Sequence, residues 1–311
     1  MSTRDQIAVV IPCRNEADTV GTVVRDFAAA LPGARIHVFD NASTEDTAAR
    51  AEEAGAEVHW VGRVGKGHVV RKMFSDVEAE IYVMVDGDDT YAAAAAPELI
   101  DRLRRESLDM MIGARITDPP HHKDHRPGHR VGIRVFGWLY AHLFDLRFDD
   151  VFSGYRVFTR RFVKSFPATT TGFDVETELI AHAFDLRVDV AEAPTHYRPR
   201  PSGEGSKLAT IGDGLRILRS AVRLYRQTRP LRFYGGMALL ITAFDLVAGI
   251  PLLVEYLDSG LVPRFPTAIL LAALQVIAVV FLAVGLVGEA ISRQGREQRR
   301  TAFLAIPRAP S

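Results

Sequence analysis

Apolar and polar positions divide the 311-residue chain into two regimes. Up to about Pro201, short β-branched runs alternate with stretches whose apolar residues recur at helical spacing. Ile7 to Ile11 is an apolar run closed by Pro12, and it predicts a buried strand. Val20, Val23, Val24, Phe27 and Leu31 fall on one helical face, and Pro32-Gly33 ends that helix. Arg35 to Phe39 predicts a second strand ending in Asp40-Asn41, followed by a helix over Thr44 to Ala54. Glu57 to Val61 is a third strand, Val69 to Val77 a helix, and Ile81 to Val85 a fourth strand that runs into Asp86-Gly87-Asp88-Asp89. Strands alternating with helices predict an α/β domain with a doubly wound, mostly parallel sheet. Ligands of such sheets collect beyond the carboxyl ends of the strands. The polar clusters after strands one, two and four stand at that edge.

Farther on, Thr117 to Pro127 reads as a polar, proline-rich loop, and Val131 to Phe148 as an aromatic helix. Over Leu208 to Tyr225 an apolar stripe (Ile211, Leu215, Leu218, Val222, Tyr225) runs beside Arg216, Arg219, Arg223 and Arg226. A basic amphipathic helix of this kind suits the headgroup layer of a membrane. Phe233 to Leu257 and Thr267 to Ile291 are each long enough for the roughly 20 residues that cross hydrocarbon. Arginines crowd the outer flanks (Arg226, Arg229, Arg232, then Arg293, Arg296, Arg299, Arg300), whereas the connector holds only Arg264. The positive-inside rule then puts both flanks in the cytoplasm. The predicted organisation is a catalytic domain over 1–207, a juxtamembrane helix over 208–232, two membrane helices over 233–291 and a cytoplasmic tail over 292–311.

Composition narrows the classes. Lysine plus arginine equal aspartate plus glutamate at 38 each, which argues against a general nucleic-acid binder. The single cysteine, Cys13, excludes an intramolecular disulfide and a multi-cysteine zinc site. Met1 to Gln6 is polar and lacks the pattern of a signal peptide, so the N-terminal part is expected to stay in the cytoplasm.

Asp86-Gly87-Asp88-Asp89 is the strongest chemical signal. Carboxylates at a strand end suit Mg²⁺ or Mn²⁺, and such a cation can neutralise a diphosphate leaving group. An acidic Asp-Gly turn without a ligand is the alternative. Asn15 and Ser43 have an alternative too, as helix N-caps. Gly62-Arg63-Val64-Gly65-Lys66-Gly67 offers flexible backbone and a cation, but it fits neither the Walker A loop nor the dinucleotide fingerprint. His121, His122, His125 and His129 fall in a loop, where solvated histidines are the expectation rather than a metal site. Asp245, inside the first span, should face the other helix, a partner subunit or a lipid headgroup.

Taken in order, Ile11-Pro12-Cys13-Arg14-Asn15-Glu16, Asp40-Asn41-Ala42-Ser43, Lys66-Gly67 and Asp86-Gly87-Asp88-Asp89 resemble the motifs of family 2 glycosyltransferases with the GT-A fold. Gly113-Ala114-Arg115, Asp150 to Arg156 and Arg200 to Lys207 resemble the polyprenyl-phosphate hexosyltransferase branch. The resemblance covers essentially the whole chain and implies an inverting, metal-dependent transfer from a UDP- or GDP-hexose to a polyprenyl phosphate. It implies Pro12, Arg14, Glu16, Asp40, Lys66 and Asp86 at the nucleotide, and Asp88 with Asp86 at Mg²⁺ or Mn²⁺. Asp150, Asp88 and Arg115 are implied at the reacting centre, with Glu176 as the rival of Asp150. Ser153, Arg156, Arg200, Ser206 and Lys207 are implied at the acceptor or at phosphate. Homo-oligomers are compatible with the resemblance. Cys13 and Ile133 depart from common family residues, which bears on acceptor contacts more than on the reaction class.

Overall fold

A computed structural model describes residues 5–116, 150–168, 175–198, 222, 225–226 and 228–308. The expected loop over Thr117 to Pro127, the aromatic helix, nearly all of the basic amphipathic helix, and Arg200, Ser206 and Lys207 lie outside the described residues. The chain divides into two units, Met1–Ile211 with Gln298–Ser311, and Gly212–Glu297.

In the first unit β1 (Asp5–Cys13), α1 (Val20–Ala30), β2 (Arg35–Asp40), α2 (Thr47–Glu53), β3 (Glu57–Trp60), α3 (Lys66–Asp76) and β4 (Ala79–Met84) alternate as the periodicity predicts. They are followed by α4 (Ala96–Arg105), β5 (Met110–Ile116), β6 (Arg156–Thr159), α5 (Arg160–Ser165), α6 (Val175–Leu186) and β7 (Val190–His196). The seven strands lie in the order β3-β2-β1-β4-β6-β5-β7. All pairings are parallel except those of β6, which runs antiparallel to β4 and β5. β1 continues through Pro12, whose missing N–H is tolerated because pairing with β4 has already ended at Val10–Met84.

Alternation along the strands builds a core on each face. Val9, Ile11 and Val83 pack with Val23, Phe27 and Leu99 on one side. Ala8, Val10, Tyr82 and Met84 pack with Val69, Met73, Phe158, Phe162 and Leu179 on the other. Central strands covered on both faces read as continuous apolar runs, which is why β1 and β4 stand out in the sequence.

The direction of β6 positions the site. Met84 pairs with Arg156, and Ile112 pairs with Arg156 from the other side. Residues before Arg156 therefore emerge at the same sheet edge as residues after Met84 and after Ile112. Asp150–Tyr155 is thus set between the acidic loop after β4 and Arg115 near the end of β5.

Residues 299–308 pack within this unit. Arg299 pairs with Asp185 at 2.5 Å, Arg300 donates to the Asp185 carbonyl, Arg161 stacks over Phe303, and Arg308 donates to the Leu108 carbonyl. Nearby, His182 is buried between Phe162 and Phe166 and shares a hydrogen bond with Ser165. Burial, and then the Arg299 charge, push its pKa down from 6.5 to about 3. The unfolded chain binds that proton below pH 6.5 while the native chain refuses it until about pH 3. Stability from this group is therefore complete above pH 6.5 and declines as pH falls, by about 2 kcal/mol at pH 5. His182→Leu should flatten the acid limb of the stability curve, which denaturation midpoints between pH 7 and 5 would show.

The second unit holds all of α7 (Pro230–Ser259) and most of α8 (Phe265–Leu304). Both are long and apolar enough to cross a membrane, with mean hydropathy of 2.2 and 2.8 in their most apolar windows. Their apolar side chains face outward: Leu239, Leu246, Leu253, Val276 and Val287 are all exposed. The helices meet through small residues, since a Cβ at Gly285 or Gly288 would press on Pro230, Leu231 and Tyr234. Gln275 donates to Thr242 between them. The α7 C-terminus closes on Gly260 in the left-handed conformation, whose N–H bonds the Tyr256 carbonyl. α8 runs past Ile291, where the apolar pattern stops, to Leu304.

Candidate active site

Three loops meet at the carboxyl edge of the sheet, after β1, β2 and β4. Each contains a non-glycine residue with positive φ: Asn15 at 55°, Ala42 at 53° and Asp89 at 55°. Such backbone is costly and concentrates where surrounding bonds fix it. Those bonds are present. Asn15 N–H donates to Ser43 Oγ at 2.9 Å, and Thr44 N–H donates to Asn15 Oδ1 at 2.8 Å. Glu16 N–H donates to Thr47 Oγ1, and Ser43 donates through both N–H and hydroxyl to Asp40. Asn15 and Ser43 thus tie two loops together. The N-cap positions of α1 and α2 belong to Thr19 and Asp46.

Asn41 reaches a further loop, the one after β3. Its Nδ2 donates to the Val61 and Arg63 carbonyls, and its Oδ1 accepts the Gly65 N–H at 2.8 Å. That fixes the turn into α3, where Gly65 has φ 136°, and it delivers Lys66. Gly87 closes the acidic turn against β1: a Cβ there would overlap Cys13 Sγ, and Thr19 Oγ1 donates to the Gly87 carbonyl at 2.7 Å.

Cys13 reports how the acidic groups converge. Burial pushes its thiol well up, and Glu16, Asp86, Asp40 and Asp88 add to the shift in that order. Charges from the end of β2 and from the loops after β1 and β4 thus act on one buried sulfur, and with its burial they favour the protonated thiol. Asp88 is buried and accepts from the Thr90 hydroxyl at 2.6 Å. Asp40 is buried as well, whereas Arg14 is exposed and Pro12 half-buried.

Lys66 joins two of the acids. Its Nζ lies 2.6 Å from Asp86 Oδ1 and 2.6 Å from Glu176 Oε1. Burial opposes the ammonium, but the two carboxylates outweigh it and hold its pKa well above the ordinary value. A second centre lies on the neighbouring strands. Asp150 receives a bidentate clasp from Arg115, with both contacts at 2.7 Å and a third from the Arg115 N–H. Glu192 of β7 accepts the Asp150 N–H at 3.1 Å, and Arg115 stands over the Tyr197 ring.

The segment between Asp150 and Arg156 links the centres. A Cβ at Gly154 would overlap the Asp86 carboxylate, so only glycine allows this approach. Gly154 N–H donates to the Tyr91 hydroxyl at 2.9 Å, and Ser153 Oγ donates to the Gly113 carbonyl at 2.6 Å. Arg156 is wholly buried beneath, and its guanidinium donates to the carbonyls of Val151, Ser153 and Glu176. The resemblance implied Ser153 and Arg156 at acceptor or phosphate. The structure instead turns both inward, with their polar atoms engaged by the protein. Tyr91 and Glu192 had no signal of their own in the sequence, because the strands that bring them here are distant along the chain; Gly154 stands within the Asp150 to Arg156 motif, but its approach to Asp86 is visible only in the fold.

Residues 8–166 match the description Glycosyl transferase family 2. The chain belongs to that family. A relative in Haloferax volcanii named glycosyltransferase AglJ is 35% identical over 262 residues, 82% of this chain and 83% of its own length. The dolichyl-phosphate hexose transferase of the same organism is 28% identical over 228 residues, 73% of this chain and 97% of its own. Among solved structures, glucosyl-3-phosphoglycerate synthase from Mycobacterium tuberculosis, crystallised with Mn²⁺, UDP-glucose and phosphoglyceric acid, is similar with a TM-score of 0.54. It is 25% identical, and the match covers 71% of this chain and 80% of that one. The mixed sheet and these neighbours establish the GT-A-like fold expected from the sequence.

Proposed function

We propose that this family 2 glycosyltransferase moves a hexose from a nucleoside diphosphate sugar to the phosphate of a polyprenyl lipid, at the cytoplasmic face of a membrane. The observation that carries the transfer reaction is the pair of acidic centres, Asp86–Lys66–Glu176 and Arg115–Asp150, joined through Gly154. The lipid acceptor is supported by two helices with outward apolar faces and by similarity to a dolichyl-phosphate hexose transferase. The crystallised relative with UDP-glucose and Mn²⁺ supports a nucleotide-sugar donor and a divalent cation.

The donor set suits Mg²⁺ or Mn²⁺, because Asp86 and Asp88 offer carboxylate oxygens from the turn that follows β4. A cation held there would supply Lewis-acid neutralisation of the charge that builds on the departing diphosphate. The remaining work belongs to the chain. Glu16 and Asp40, fixed by the Asn15–Ser43–Thr47 bonds, line the nucleoside side, with Pro12 and Arg14 beside them. Lys66 holds Asp86 and Glu176 together, so the acidic turn keeps its shape before donor arrives. A phosphate oxygen of the acceptor forms a bond to the anomeric carbon as the bond to the diphosphate oxygen breaks on the opposite face, which inverts the configuration. A phosphate monoester is largely dianionic at neutral pH and brings its own charge to the attack. Asp150, clamped by Arg115, therefore orients the acceptor side rather than serving as a strong base. Positioning and charge neutralisation account for most of the rate.

A donor panel tests this. Purified protein in vesicles containing undecaprenyl phosphate, supplied with UDP- and GDP-hexoses and Mg²⁺ or Mn²⁺, should convert one donor to an organic-soluble product. Chelation with EDTA should stop the conversion. Donor that binds but is never consumed would instead make the protein a membrane-tethered nucleotide-sugar scaffold.

A further inference from the structure

Away from the acidic loops, two parallel strands bring three metal-ligating side chains to one point. His37 on β2 pairs in register with Glu57 on β3, and Phe39 pairs with His59. Alternate strand positions share a face, so His37, Glu57 and His59 all project from the same side of the sheet. His37 Nδ1 lies 3.1 Å from His59 Nε2 and 3.5 Å from Glu57 Oε2, and His59 Nε2 lies 3.4 Å from Glu57 Oε1. Donors bound to a tetrahedral zinc ion at their usual lengths stand about 3.3 Å from one another. The separations lie close to that value, each imidazole facing a different oxygen of Glu57.

We propose that His37, Glu57 and His59 form a zinc site, distinct from the acidic turn of the active site. Two imidazoles and one carboxylate match the borderline-soft preference of Zn²⁺, where an oxygen-only set suits Mg²⁺ or Mn²⁺. The fourth position is left to water. The His59 ring is stacked flat on Phe39 at 4.4 Å, which fixes its orientation. The His37 side chain is nearly buried, whereas Glu57 is 55% exposed on the edge strand and gives an ion its way in. The pair His37–Glu57 lies three residues before Asp40 along β2, about 10 Å from the catalytic edge at strand rise. The ion would clip the short edge strand β3 to β2, and β2 leads directly into Asp40 and Asn41.

Cobalt is the probe. Untagged full-length protein in detergent micelles, stripped with EDTA and kept in excess Mg²⁺ to fill oxygen-only sites, is titrated with Co²⁺. Wild type should develop the intense visible d–d bands of four- or five-coordinate cobalt, and one equivalent of Zn²⁺ should erase them. Glu57→Gln, at an exposed position that does not threaten the fold, should weaken binding by at least about 10-fold. His59→Asn should do the same, and Asp88→Asn should leave the bands intact. Weak octahedral bands alone in wild type would overturn the proposal and leave a simple imidazole–imidazole hydrogen bond. Strong bands that survive Glu57→Gln with unchanged affinity would also overturn it, by placing the metal on other histidines.

Discussion

Asp88→Asn should lower the transfer rate by about 10³-fold while moving the thermal midpoint by less than about 3 °C. The asparagine is nearly isosteric, and its side-chain oxygen can still accept the Thr90 hydroxyl that Asp88 accepts at 2.6 Å. What the variant lacks is a negative charge in the turn that also holds Asp86, with the charges of Glu16 and Asp40 acting on the same Cys13. That charge matters most when the leaving diphosphate and its counter-ion are present. The loss should therefore fall on kcat and on the Mn²⁺ concentration needed for half activity. Single-turnover transfer, with a thermal melt of the same sample, provides the check. Activity within tenfold of wild type would remove Asp88 from the diphosphate end of the site.

Lys66→Met should damage both fold and activity. The ammonium is largely enclosed, and it touches Asp86 and a nearly buried Glu176 at once. Removing one partner of such a cluster leaves like charges facing each other, at a cost of about 3–5 kcal/mol. Denaturant midpoints should register that loss, and transfer should fall by at least about 10²-fold because Asp86 is no longer held in place. A second variant separates the effects. Lys66→Met combined with Glu176→Gln should recover a large part of the stability, since the repulsion is relieved, yet recover no activity. Recovery of both would mean that Lys66 serves only to neutralise Glu176.

The sequence exposed those parts of the fold that rest on local periodicity. β1 and β4 are buried on both faces, so Val9-Val10-Ile11 and Ile81–Val85 read clearly as strands, and the outward apolar faces of α7 and α8 made both helices visible by length. The loops after β1, β2 and β4 were legible because their polar residues interrupt apolar runs at the ligand-binding edge. β6 was not. It is four residues long, opens with the buried Arg156, and runs against its neighbours, far along the sequence from β4. Only the resemblance assigns Arg156 a place, at acceptor or phosphate, and an arginine in a sequence carries no mark of being enclosed. Here the partners are three main-chain carbonyls, which no residue pattern announces. The Lys66–Glu176 and Arg115–Asp150 pairs likewise join residues far apart in sequence, so their partnership follows from topology alone. The same holds for His37 and His59, separated by α2 and gathered by strand register.

The nature of the acceptor is tested most directly by offering three to the same enzyme. Radiolabelled donor, in the form that the panel shows to be used, is incubated with polyprenyl phosphate, with the dephosphorylated polyprenol, or with free oligosaccharide. Label should enter the organic phase only with polyprenyl phosphate, in a mild-acid-labile product that releases the sugar, because the attacking oxygen belongs to the phosphate. Equal labelling of the polyprenol, or label confined to water-soluble saccharide, would contradict the account.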